Sequence, residues 1–293
     1  MWLFRRFRGY IETSNELRRT AVEYHIQDIE IYNDLIETVR HKSSKTTPIG
    51  DLMMIVGTYF LGFPYTGKTL DEEGAEHLVI NLRQFDCFTF VENTVVLARL
   101  IKKGKVAFND YVSAIKKIRY RNGRISGYPS RLHYFSDWLA DNEKKGVVRL
   151  ITHENVGQTL HKEINFMTTH RDDYHGLRSD RSFKKMAVFE KNLSEKPLYY
   201  IPKAEFKQYK DVIENGDMIA VTTSIEGLDV MHVGLAVFFE RGIHLLHASE
   251  IEKQVVISDA SLFEYLSERK TMTGIMVGRV REVCQSDDNR VMT

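Results

Sequence analysis

An α+β architecture is what this sequence predicts, helical over its first two thirds and β-rich afterwards. Two observations carry that expectation. Before residue 200, apolar residues recur at helical spacing in several long runs. Past residue 215 the apolar runs become short, branched and bounded by turn residues, as antiparallel strands are. The 293 residues suffice for one large domain or two of ordinary size.

The elements follow in order. Leu17, Val22, Ile26, Ile29, Tyr32, Leu35, Ile36 and Val39 predict one long amphipathic helix over 13–40. A polar break at 41–48 precedes a second helix, 49–61, stopped by Gly62, and a turn-rich stretch at 63–67. A helix over 87–103 is apolar nearly all round, as a buried helix is, and Gly104 is its stop. Helices are expected at 108–119, 131–145 and 180–195, with a turn at Asn122-Gly123. Strands are expected at 217–223, 231–239, 243–249, 254–257 and 271–280, with one helix at 258–267. This divides the chain into an N-terminal helical extension (1–48), a mainly helical subdomain (49–200) and a β-rich subdomain (201–293). No internal repeat is evident.

Composition narrows the function classes. Hydrophobic residues are 43% and charged residues 28%, the balance of a soluble globule. A net charge of +1 gives no bulk field toward nucleic acid or acidic lipid. Arg119, Arg121 and Arg124 read as a solvated face, with an anion site as the alternative. No apolar run is long enough to span a bilayer, and the basic start Met1 to Arg8 lacks the apolar stretch of a signal peptide. Two cysteines, Cys87 and Cys284, make no disulfide framework.

Cys87 is the position with chemistry. A thiol at a helix N-terminus feels the positive end of the helix dipole, which favours thiolate. Asp86 would oppose that if it faced the sulfur; turned back, it is the helix N-cap. A small buried hydrophobe is the bland alternative for the cysteine. Far downstream, His232 lies in a run whose alternation puts Gly234, Ala236 and Phe238 on its own face. Those small neighbours would let the cysteine helix approach. Thiol plus strand histidine is the set for acyl transfer through a thioester. His247 would be the third member. A hairpin turn at Arg241-Gly242, however, sets His247 opposite Ala236, on the face of His232 but about 13 Å along the strand. A shifted turn or bulge is needed to bring the two together. His244 points to the other face. His170, Asp172, Asp173 and His175 lack the spacing of a helical zinc site and read as a polar surface loop.

At these residues the chain resembles the NlpC-type papain-like cysteine hydrolases of bacterial cell walls. The matching segments are Asp86-Cys87, Asn215-Gly216-Asp217-Met218-Ile219, His232-Val233-Gly234 and His247-Ala248-Ser249. A closer resemblance, over about residues 50 to 281, is to the N-acetylmuramoyl-L-alanine amidase-like branch, sometimes labelled putative xylanase. It is carried by Asn81-Leu82-Arg83-Gln84-Phe85-Asp86-Cys87, Arg119-Tyr120-Arg121-Asn122-Gly123, Ser130-Arg131-Leu132-His133-Tyr134 and Gly227-Leu228-Asp229. The resemblance implies a helical subdomain carrying the cysteine, packed on an antiparallel β-roll. It implies cleavage of the amide joining MurNAc to L-alanine, with 1,6-anhydro muropeptides as plausible substrates. It also implies Cys87, His232 and His247 as the catalytic set, and Tyr65, Asp86, Arg131 and His133 on the substrate side. No cofactor or metal, no nucleic acid and no second subunit is expected. The resemblance implies the periplasm; no signal peptide is visible in the sequence, and a cytoplasmic location is the alternative. A γ-D-glutamyl-diamino acid endopeptidase and a non-catalytic wall-binding module are the alternatives. The xylanase label needs an acidic pair across a cleft, and no strand-borne pair is evident.

Overall fold

The structure is a computed structural model that describes residues 6–11, 20–71, 74–153 and 156–283. Its elements are β1 (Arg6–Ile11), β2 (Thr20–His25), α1 (Ile26–Lys42), α2 (Ile49–Tyr59), β3 (Leu78–Val79), α3 (Cys87–Lys103), α4 (Phe108–Arg119), α5 (Phe135–Lys144), β4 (Val148–Leu150) and β5 (Gln158–Leu160). There follow α6 (Phe166–Thr169), α7 (Asp180–Ser194), β6 (Leu198–Pro202), α8 (Phe206–Tyr209), β7 (Met218–Thr223), β8 (Val230–Phe239), β9 (Gly242–Ser249), β10 (Gln254–Ile257), α9 (Leu262–Glu268) and β11 (Met272–Val280). The mixture is the expected α+β order. Among the described residues, no helix is long and apolar enough to cross a membrane.

The large sheet runs β10-β9-β8-β7-β11-β6-β5, antiparallel throughout, with β4 also paired to β11. Its two faces are buried differently. Val233, Leu235 and Val237 of β8, with Leu246 and Ala248 of β9, pack against α2 and α3 through Val56, Phe60, Phe90, Val91 and Val95. Ala236, Ile243 and Leu245 face the other way, under Leu262 and Leu266 of α9. Phe90 is fully buried in the first core, and Phe90→Ala would cost about 3–5 kcal/mol. A third cluster joins Tyr128 and Tyr134 to Ile164, Met167 and Met186.

Several element boundaries differ from the expectation. Residues 20–25 are strand, not helix. They pair with β1 and, through Val22↔Leu78 and Glu23↔Val79, with β3, so tertiary pairing overrides the helical periodicity. The helix begins at Ile26, where His25 and Asp28 form a capping box. Asp28 also accepts from the Leu82 backbone N–H (2.8 Å) and Arg83 Nε (3.1 Å), tying α1 to the segment that leads into the cysteine. The predicted helical residues before 20, the basic start up to Arg5, and Cys284 lie outside the described residues. The helix expected at 131 starts at Phe135 instead, because Arg131 is in a bridge with Tyr120. Asp229 then caps its first turn by accepting from the Ser136 N–H at 2.8 Å.

Candidate active site

Cys87 is the first residue of α3, as expected. Asp86 Oδ1 accepts from the Thr89 N–H (2.7 Å), and Thr89 Oγ1 in return accepts from the Asp86 N–H (3.0 Å). This reciprocal box fixes where the helix starts, and so where the sulfur sits. Gly104, in left-handed conformation, ends the helix. The sulfur accepts backbone N–H bonds from Val233, Phe88 and Cys87 itself. Those bonds favour thiolate, but burial outweighs them and pushes the thiol up to about 12, with Asp86 adding to the rise. Asp86 thus turns back as the cap and still bears on the sulfur. Its own carboxyl is raised by burial, against the hydrogen bonds from Thr89. The resting Cys87 side chain is a neutral thiol, in contrast to the thiolate the helix dipole alone suggests.

His232 and His247 are bonded. Nε2 of His232 lies 2.6 Å from Nδ1 of His247, with the rings 4.8 Å apart and edge-on at 89°. The gap of about 13 Å expected from the sequence closes because the turn falls at Glu240-Arg241, so that Phe239 pairs with Gly242 and Leu235 with Leu246. Continued one residue, this register sets His247 beside Gly234 and diagonal to His232. Gly242 begins β9 at φ +127, a conformation that suits glycine, which is why Arg241-Gly242 looks like the turn itself. His244 instead meets the Ser258 carbonyl at 2.9 Å.

The small residues beside His232 serve a purpose other than the one expected. The cysteine helix packs on the opposite face, through Val233 and Leu235. Gly234 makes room within the sheet, where a Cβ would meet Leu245 at 2.8 Å and the His247 Cβ at 2.9 Å. Burial, then His247, then Arg269 lower His232 to about 3, and burial lowers His247 to about 4. Both imidazoles are neutral at pH 7. Tyr265 of α9 lies against both, its ring 5.7 Å from His247 and 6.1 Å from His232. Sequence reasoning missed it, because nothing in the Ser258 to Ser267 stretch marks Tyr265 rather than Phe263 as facing the histidines.

Cys87, His232 and Val233 line one cavity of about 250 Å³, with Asp86, Arg131, His133, Tyr128 and Phe166 among its other walls. Arg131 is not a free cation. It pairs with Asp71 (2.5 Å) and Glu76 (3.2 Å) and lies over the Tyr128 ring. His133 meets the Tyr128 carbonyl at 3.0 Å and is held to about 3 by burial and by Arg131. Tyr65, bridged to Phe85, is not in this wall. Burial, followed by the nearby Cys87, Glu250 and Asp86, keeps its hydroxyl protonated well above the usual range.

Two of the arginines expected on a solvated face are buried or paired. Arg119 is buried against Glu92 at 2.7 Å and the Val79 carbonyl, and Arg121 pairs with Asp137. Arg124 alone of the three is exposed. Among the described residues no three metal-ligating side chains converge, and His170 stacks on Phe166 instead. The cavity's carboxylates are all engaged: Asp86 in the cap, Glu92 by Arg119 and Trp138, Asp71 by Arg131, and Asp229 by backbone N–H groups.

Comparisons with known proteins agree with this architecture. The family model described as AmiA-like, N-acetylmuramoyl-L-alanine amidase-like, matches residues 55–275. No curated protein matches the chain. A solved N-acetylmuramoyl-L-alanine amidase from Bacteroides uniformis is 36% identical, with a TM-score of 0.76, over 80% of this chain and 99% of that one. A protein from Bacteroides fragilis described as a putative xylanase is 38% identical, with a TM-score of 0.72, over 76% of this chain and 98% of that one. A Legionella pneumophila protein at 23% identity shares the fold, with a TM-score of 0.63 over 89% of this chain and 97% of that one. With the family model spanning most of its length, this chain belongs to the N-acetylmuramoyl-L-alanine amidase-like family.

Proposed function

We propose that the protein is a cysteine-dependent N-acetylmuramoyl-L-alanine amidase with a papain-like, NlpC-type core. The observation that carries this is the meeting, in one cavity, of a helix-start thiol with a histidine bonded to a second histidine at 2.6 Å. The named activity of the Bacteroides uniformis relative supports the choice of bond.

The chemistry follows from the neutral resting state. With Nε2 of His232 engaged by His247, Nδ1 is the nitrogen left to take the thiol proton. The resulting imidazolium donates its Nε2–H to Nδ1 of His247, which stabilises the charge as it forms. The sulfur attacks the lactyl carbonyl carbon to form a tetrahedral oxyanion. The C–N bond then breaks, and the L-alanine nitrogen leaves with the proton from His232. Water, deprotonated by His232, attacks the thioester and releases the lactyl carboxylate and the thiol.

The substrates are muropeptides, including 1,6-anhydro forms, and the setting is the compartment where wall fragments arise. Asp86, Arg131 and His133 shape the substrate side. Digestion of defined muropeptides with mass analysis of the products tests the proposal. An intact stem peptide, absent with Cys87→Ala, is the expected result. Release of an L-Ala-D-Glu dipeptide would mean an endopeptidase.

A further inference from the structure

We propose that Tyr265 is a positioning residue of this reaction: its ring, carried by α9, holds the edge-on meeting of His232 and His247 and keeps water from the bond between them. This rests on the two histidines acting as proposed above. Helix α9 is anchored to the sheet by Leu262 and Leu266, both fully buried, and its start is fixed by a box between Ser261 and Glu264. Tyr265 lies three residues after Leu262 and so turns toward the same side of the helix. Its ring meets His247 nearly perpendicular, at 78°, and lies tilted by 38° to His232.

A bond between two neutral imidazoles is weak where water competes, and its geometry is soft. A flat wall against both rings narrows their rotation and removes the competitor. Groups around His232 come from three further elements: Cys87 on α3, which lines the same cavity, His247 on β9, and Tyr265 with Arg269 at the end of α9. Of these, only Tyr265 touches both rings as a planar surface. Both contacts are made by the ring, so the holding role does not call on the hydroxyl.

The test compares wild type with Tyr265→Phe and Tyr265→Leu by NMR titration of the two histidines and by steady-state hydrolysis of a defined muropeptide. Tyr265→Phe should match wild type in both. Tyr265→Leu should raise the titration midpoint of His232 toward its ordinary value by about one unit. It should also lower kcat about tenfold with KM nearly unchanged, as loss of orientation does. If Tyr265→Leu does not fold, Tyr265→Met, flexible enough to fill an irregular gap without a ring, carries the same readouts. Unchanged titration and kcat in the aliphatic variant, or a Phe variant as impaired as the aliphatic one, would overturn the proposal. The titration reads the ring contact whether or not the protein is an amidase, and Cys87→Ala tests that reading separately.

Discussion

Gly234 and His247 compete for one place on the sheet: a Cβ at position 234 would stand 2.9 Å from the Cβ of His247. The histidine pair therefore exists because the residue directly opposite His247 has no side chain. Gly234→Ala should push His247 off His232, costing about 1–3 kcal/mol in stability and most of the activity. Urea denaturation and hydrolysis rates check both. A fully active, equally stable variant would contradict the packing.

Cys87→Ala should lower hydrolysis by at least about 10⁴-fold, as loss of a nucleophile does elsewhere. The melting temperature should barely move, because a thiol and a methyl differ little in volume. Substantial turnover by this variant would remove Cys87 from the reaction.

His247→Ala should reduce kcat by about 10²-fold or more with KM nearly unchanged. The bond it breaks is needed when His232 gains charge. Equal loss in KM and none in kcat would instead make His247 a substrate contact.

The pH dependence has a definite sign. His232 and His247 titrate in the folded chain at about 3 and about 4, below their ordinary 6.5. As pH falls below 6.5 the unfolded chain takes up protons that the folded one refuses. Stability is therefore full above 6.5 and is lost toward the folded values, at up to about 1.4 kcal/mol per pH unit per histidine. The slope should shrink in a His232→Ala, His247→Ala double variant. The acid limb of kcat/KM should likewise lie well below 6.5, and a limb at 6.5 would point to solvated imidazoles.

Arg131→Ala should destabilise the fold by about 3–5 kcal/mol, because Asp71 and Glu76 would be left without their cation. The resemblance places Arg131 on the substrate side, where its loss would raise KM with a smaller effect on kcat. Thermal melts beside kinetics separate the two cases.

Local rules decide what was legible in the sequence. The helix from Cys87 to Lys103 has both ends written in it, Asp86 as cap and Gly104 as stop. The strands around His232 and His247 show their branched alternation. Partners set by long-range packing were not legible. The helical rhythm from Val22 onward gave no sign of pairing with Leu78. The hairpin turn lies one residue earlier than Arg241-Gly242 suggests, and that one step decides which residues meet across the pair. Arg131 carries no mark of Asp71 and Glu76, 60 and 55 positions away, and Tyr265 none of the rings it faces.

The placement of β11 between β7 and β6 has a consequence for the order of synthesis. On the ribosome, the thiol helix is complete after residue 103 and the histidine strands after residue 249. Yet β7 has a bare edge until residues 272–280 arrive to fill it. A nascent chain short of Val280 thus holds Cys87, His232 and His247 on an incomplete sheet. Such a fragment would be hydrolytically silent, and its open edge makes it a template for aggregation and a target for quality control.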